Sequence, residues 1–211
     1  MRAIEVGDRE IGWPEKLVTL ALVYGFIATG YFVCNALNAH AQCYTLETSV
    51  DRAIPFTPAW VWVYVTYDVV VPIPILLTVW GRGALRRIAV IFICASLVEY
   101  AVFLLYPTTV PRPTLPDLLG PSEQWLRDVV WRLDLPYNAF PSQHISHSYI
   151  AAFATWRHRP SWGPYAVAWA TMIALSTLFI KQHWFLDIAA GFALAALFFW
   201  LVEGRRSRAT R

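Results

Sequence analysis

The chain has 211 residues, of which 57% are hydrophobic and only 15% charged, with eleven Trp among them. Six separate apolar blocks are more than a soluble domain of this length needs, so the composition points to one integral membrane domain. The net charge of +3 comes without the aromatic–basic patterning of a nucleic-acid binder, so no nucleic-acid partner is expected.

Residues 1–16 include Asp8, Arg9, Glu10, Glu15 and Lys16. These are too many acids for a signal peptide, so the first span is expected to be retained behind a short cytoplasmic segment. Apolar runs then place spans at about 17–39, 59–80, 88–106, 142–156, 164–180 and 184–202. The predicted fold is therefore all-α: a six-transmembrane-helix bundle over residues 17–202, followed by a basic cytoplasmic tail, 203–211. A crossing helix needs roughly 20 apolar residues, so the fourth and fifth spans are short. That suits helices whose outer ends stop at a polar cavity below the membrane surface.

Basic residues set the orientation. With the N-terminus inside, Arg2, Arg9, Lys16, Arg82, Arg86, Arg87, Arg157, Arg159, Arg205, Arg206, Arg208 and Arg211 all fall on inner segments. Only Arg52, Arg112, Arg127, Arg132 and Lys181 fall outside. The outer side is then the periplasm or exterior of a bacterial plasma membrane, or the lumen in a eukaryote. Pro72 and Pro74 predict a kink in the second span. Asp68 in that span and Glu99 in the next are acids in hydrocarbon, each either protonated and structural or paired with a base. Cys34, Cys43 and Cys94 have no metal-ligand spacing; a Cys34–Cys43 disulfide is conceivable but not favoured.

The longest outer segment opens with Pro107, Pro111, Pro113 and Pro116. This spacing predicts a stiff, non-helical strap suited to carrying one positioned arginine, Arg112. Residues 122–133 then read as an amphipathic helix, with Trp125, Leu126, Val129, Val130 and Leu133 on one side. It either lies on the membrane surface or covers a lipid entrance.

Pro141-Ser142-Gln143-His144 starts the fourth span, and a helix start offers free N–H groups and a positive dipole end to a phosphate. His144 falls in its first turn, whereas His147 reads as a packed, hydrogen-bonded histidine. In Lys181-Gln182-His183-Trp184-Phe185-Leu186-Asp187, polar chemistry interrupts a long apolar region. His183 and Asp187 are one helical turn apart, so the carboxylate can fix the imidazole tautomer and stabilise its cation. Arg112, the Ser142–His144 start and Lys181–Asp187 share the predicted outer side. Two histidines, one backed by a carboxylate, with basic groups nearby, suit phosphoryl transfer through a histidine nucleophile.

These residues resemble the type 2 phosphatidic acid phosphatase superfamily, whose signatures are Arg-Pro preceded by a lysine, Pro-Ser-Gly-His, and Ser-Arg followed by His-x-x-x-Asp. Here they stand as Arg112-Pro113, Pro141-Ser142-Gln143-His144, and Ser176-Thr177 followed by His183 and Asp187. The resemblance covers about residues 17–202. It implies a nucleophile at His183, an orienting partner at Asp187 and a general acid at His144. Arg112 and the backbone around Ser142 and Gln143 would hold the phosphate of a membrane lipid, with no metal or cofactor.

Three positions depart from the pattern: the family lysine is Leu105, the motif glycine is Gln143 and the motif arginine is Thr177. Lys181 is expected to substitute as the missing phosphate cation. The Tyr-Pro…Pro-Arg, Phe-Pro-Ser-x-His and Lys-Gln-His pattern looks like the branch related to inositol phosphorylceramide synthases. That branch leaves open whether water or another alcohol accepts the phosphoryl group. Two other classes compete: a metal enzyme using His144, His147, His183 and Asp187, and a non-enzymatic membrane carrier or assembly subunit.

Overall fold

The computed structural model of the protein describes residues 8–204. The described residues are helical with isolated bridges, and most of the predicted basic tail, from Arg205 on, lies outside them. The elements are α1 (Trp13–Asn38), α2 (Ser49–Ala53), α3 (Val61–Tyr64), α4 (Tyr67–Val70), α5 (Pro72–Thr78), α6 (Arg82–Leu105), α7 (Pro121–Trp125), α8 (Trp131–Leu133), α9 (Gln143–His158), α10 (Gly163–Phe179) and α11 (Phe185–Phe199). Local sequence explains most of the boundaries. Proline stands in the first turn of α1, α5, α7 and α10, where its missing N–H is harmless. Pro107 follows the end of α6, and Pro160 follows the end of α9.

Among the described residues four helices are long and apolar enough to cross a membrane: Trp13–Asn38, Pro58–Thr78, Arg82–Leu105 and Phe185–Gly204. α9 and α10, with 16 and 17 residues, are shorter than a full crossing. The expected kink in the second span occurs at Val71 before Pro72, and a further break at Val65–Thr66 separates α3 from α4. Leu17, Val18, Leu22, Phe32, Val33 and Leu37 stay exposed along α1, as a surface facing hydrocarbon requires.

α9 is the central helix, packed against α10, α11, α6 and α5. Ile145, Ile150, Ala151, Ala152 and Ala154 are all buried in the main core with Ile75, Ile88, Ile91 and Phe92. At the predicted inner end, Arg87 and Arg157 converge on Glu203 at 2.6 and 2.8 Å. Asp8 caps the start of α6, accepting from Gly83 N at 2.8 Å and Ala84 N at 3.0 Å.

Pro107–Gly120 is non-helical, as its prolines dictate. Tyr44 pins this strap through Tyr44 N to Pro107 O at 2.9 Å and Thr109 N to Tyr44 O at 2.8 Å. Pro121–Leu133 then forms one helical stretch with a wide π-type turn at Leu126–Val130. Leu126 and Val130 bury against Val61, Tyr64 and Ile180, so this amphipathic piece docks on the bundle.

Candidate active site

Two helix starts meet at one point. Ser142 N donates to Asp187 O at 3.1 Å, tying the beginning of α9 to the first turn of α11. A Cβ built at Gly191 would stand 2.5 Å from Ser142 O, so glycine is what permits this approach. Between α10 and α11 the chain reverses through Lys181, whose φ of 54° lies in the left-handed region. Gln182 N and His183 N then donate to Thr177 O at 2.8 and 3.3 Å, fixing the loop that carries the histidine.

His183 and Asp187 are both buried, with Nδ1 and Oδ2 3.5 Å apart. Asp187 Oδ2 accepts Trp184 N at 2.7 Å, which anchors the carboxylate at the helix start. On the opposite side of the imidazole, His183 Nε2 lies 3.3 Å from His144 Nδ1. His144 Nε2 in turn lies 2.9 Å from the Tyr64 hydroxyl, and the Tyr64 and Tyr67 rings flank it at 4.8 and 4.6 Å. The structure thus brings His183, Asp187 and His144 into one chain of contacts.

Arg112 reaches the same place from the strap. Its guanidinium donates to Gln182 Oε1 and to the Asp134 carbonyl, and lies 5.5 Å from the Trp131 ring centre. Burial pulls its pKa down, opposed by Asp134, Tyr64 and Tyr31. Ser142 sits at the N-cap of α9, yet its hydroxyl caps nothing and is buried without a partner. Gln182 Nε2 is also buried without a partner, whereas the Gln143 amide turns toward Glu99 and Tyr100. Unsatisfied buried donors beside a helix N-terminus and an arginine form a setting for an anion.

Lys181 is placed elsewhere than expected. Its ammonium donates to Asp51 O at 2.8 Å and Ile54 O at 2.7 Å, so it fastens the outer loop and does not join Arg112. Leu105 is 84% exposed at the end of α6, outside the site, and Thr177 is fully buried with its hydroxyl on Ala174 O. The rival metal set does not assemble either. His147 faces Tyr67, Ser96 and Glu99, at 2.9, 3.1 and 3.6 Å, within the core. That also answers the question of Glu99, whose other oxygen accepts the Ser146 hydroxyl. Cys34 and Cys43 are unpaired thiols.

Sequence reasoning missed Tyr64, Asp134, Gln182 and Asp51. Asp134 receives the hydroxyls of both Tyr31 and Tyr64. Burial alone would raise its pKa, but His144, the two tyrosines and Arg112 together hold it below the ordinary carboxylate value. Asp51 accepts Phe185 N at 2.7 Å and Thr48 N at 2.8 Å, joining α2 to the start of α11. Asp134 is one acid among several in the outer segment, with Asp117, Glu123 and Asp128, so nothing local singled it out. Nothing local marks Asp51 beyond its capping-box spacing with Thr48.

A family profile described as the PAP2 superfamily matches residues 18–201, most of the chain. The chain belongs to the PAP2 superfamily. A PA-phosphatase related-family protein of Dictyostelium discoideum is 27% identical over 127 residues, which is 54% of this chain and 23% of that protein. The chain therefore spans less than a quarter of the relative it matches. Membership of a family of membrane-embedded helical proteins, together with helices apolar enough to cross, makes this an integral membrane protein.

Proposed function

We propose that this PAP2 superfamily member hydrolyses a lipid phosphate monoester or pyrophosphate through a phosphohistidine on His183. The observation that carries the reading is the line Asp187–His183–His144, with spacings of 3.5 and 3.3 Å. Asp187 directs the proton to His183 Nδ1 and leaves Nε2 free to attack phosphorus. His144, on the Nε2 side, protonates the departing oxygen and then takes a proton from the attacking water. Arg112, the first N–H groups of α9 and the Ser142 hydroxyl neutralise the phosphate without a divalent metal. The six-span layout with the site on the outer side rests on the apolar runs and the bias of basic residues.

The lipid class is supported by a cavity of about 440 Å³ that runs from His144 along α1, α3 and α4. Tyr24, Ile27 and Phe32 of α1 face Trp125, Val129 and Leu133 of the amphipathic helix across it. A mainly apolar cavity of this size, with Asp134, Gln143 and His144 at one end and Asp68 in its wall, accommodates part of an acyl chain. The same cavity favours a second reading, transfer of the phospho-headgroup to an alcohol, because an acceptor lipid can approach His144 without crossing water.

The test is acid-quench trapping on the purified protein with lipid phosphates labelled at phosphorus, with and without alcohol acceptors. Labelled protein is expected in wild type and not in His183→Ala. Unlabelled wild type during active turnover would refute the covalent route. A labelled lipid product formed only with an alcohol present would favour transfer over hydrolysis.

A further inference from the structure

We infer that Asp134, acting through Tyr64, holds the proton that His144 delivers to the leaving group; this rests on the phosphohistidine reading above. The argument is an accounting of protons along the contacts Asp187–His183–His144–Tyr64–Asp134. For His183 Nε2 to attack, its proton must be on Nδ1, facing Asp187. Nε2 then carries a lone pair and accepts from His144 Nδ1–H. At the other end, ionised Asp134 has only acceptors, so the Tyr64 hydroxyl hydrogen points to it. The Tyr64 oxygen is then an acceptor toward His144 Nε2, 2.9 Å away. Both His144 nitrogens therefore carry hydrogen, and the ring is the imidazolium.

Burial and the neighbouring His183 oppose a charge on His144, and Asp134 favours it. Tyr64 and Tyr67 face His144 from the second span, and Tyr67 directs its hydroxyl to His147 instead. His183 faces it from the loop before α11, and Asp134 lies behind Tyr64 with Arg112 on its backbone carbonyl. Asp68 lines the same cavity from α4. Asp134 thus serves His144 as Asp187 serves His183, with one tyrosine interposed.

The step balances. The His183 Nε2 lone pair forms the N–P bond as the P–O bond breaks, and the departing oxygen takes the Nδ1 proton of His144. His144 is left neutral, keeping Nε2–H on Tyr64. Water then attacks the phosphohistidine, forming an O–P bond as the N–P bond breaks and its electron pair returns to His183 Nε2; the water proton passes to His144 Nδ1, phosphate leaves, and the imidazolium is restored.

Asp134 and Tyr64 are positioning residues here, and the alternative is that they only brace Tyr31 and Arg112. The test compares kcat for an alkyl phosphate with kcat for a nitrophenyl phosphate, whose leaving group departs without a proton. Tyr64→Phe, Asp134→Asn and the double variant are measured beside wild type, with the acid-quenched phosphoenzyme. Each single variant should lose roughly a hundredfold on the alkyl substrate, and the double variant no more than either. The loss on the nitrophenyl substrate should be at least about tenfold smaller. Tyr64→Phe leaves Asp134 and its hold on Arg112 in place, so it decides the question even if Asp134→Asn does not fold. Equal losses on both substrates, with a normal wild-type phosphoenzyme, would overturn the relay alone. An active wild type without a phosphoenzyme would overturn the phosphohistidine reading and the relay with it.

Discussion

Replacing Lys181 separates two roles that predict different numbers. The sequence made it a substitute phosphate ligand, whereas the structure ties its ammonium to Asp51 O and Ile54 O at 2.8 and 2.7 Å. Charged hydrogen bonds are worth about 1.5–3 kcal/mol each when buried. Lys181 is only half-buried, and water replaces part of what is lost, so Lys181→Ala should cost about 1.5–3 kcal/mol in all. Its left-handed φ of 54° adds a second handle. Lys181→Gly loses the same ammonium but removes the strain on the backbone, recovering about 1 kcal/mol. Thermal unfolding in detergent should therefore rank wild type above Lys181→Gly, and Lys181→Gly above Lys181→Ala. KM for the lipid phosphate should change less than about threefold, since a change of that size is under 0.7 kcal/mol. A wild-type midpoint in Lys181→Ala together with a KM raised tens of fold would refute the tether and restore the phosphate ligand.

Asp51→Ala removes a buried acceptor from Phe185 N and from both donors of Thr48, and should destabilise the protein by about 3–5 kcal/mol, read as a lower thermal midpoint. Asp51→Asn should lose less. Gly191→Ala drives a methyl against Ser142 O, which is backbone and cannot swing aside, so it should cost about 1–3 kcal/mol and lower kcat by moving α9 away from His183. Activity should persist in excess chelator, because Arg112 and the α9 start already meet the phosphate charge. Loss on chelation with rescue by zinc would move the site to the metal class.

The elements legible in the sequence were those specified by local chemistry. Prolines fixed the strap from Pro107 and the start of α9; Asp187 does stand beside His183, although His183 lies in the turn before α11 and not on one helix with it. Long apolar runs marked α1, α6 and α11 with ends within about four residues, except that α6 starts at Arg82, six residues before the apolar run. What stayed hidden depends on tertiary approach. Tyr64 and Asp134 are 70 residues apart, and no periodicity brings them together. Asn138, with φ of 58°, bridges Asn35 and Asn38 of α1, a buried amide ladder that no local pattern announces. Lys181 misled for the same reason: sequence gave its depth but not its direction.

Two departures from the family pattern, Leu105 and Thr177, stand beside a particular arrangement of helix starts. α9 and α11 both start at the site, and each helix N-terminus carries the equivalent of about half a positive charge. Trp60 stacks on Phe179 at 4.8 Å near the outer end of α10, and Tyr64 and Tyr67 lie one and two turns further along. His144 contacts both tyrosines, so it is recessed by roughly 6–10 Å from that level. In such a recess, dipoles and orphan donors act through less water than they would at the surface, and each is correspondingly stronger. Leu105 in place of the family lysine and Thr177 in place of its arginine remove two flexible cations. In the proposed reaction two helix starts, Arg112 held by Gln182, and the uncapped Ser142 hydroxyl would be fixed groups in the same electrostatic role. Fixed donors need no reorganisation when phosphate charge shifts during transfer, so the proposed reaction would rely here on geometry where the family pattern adds charge.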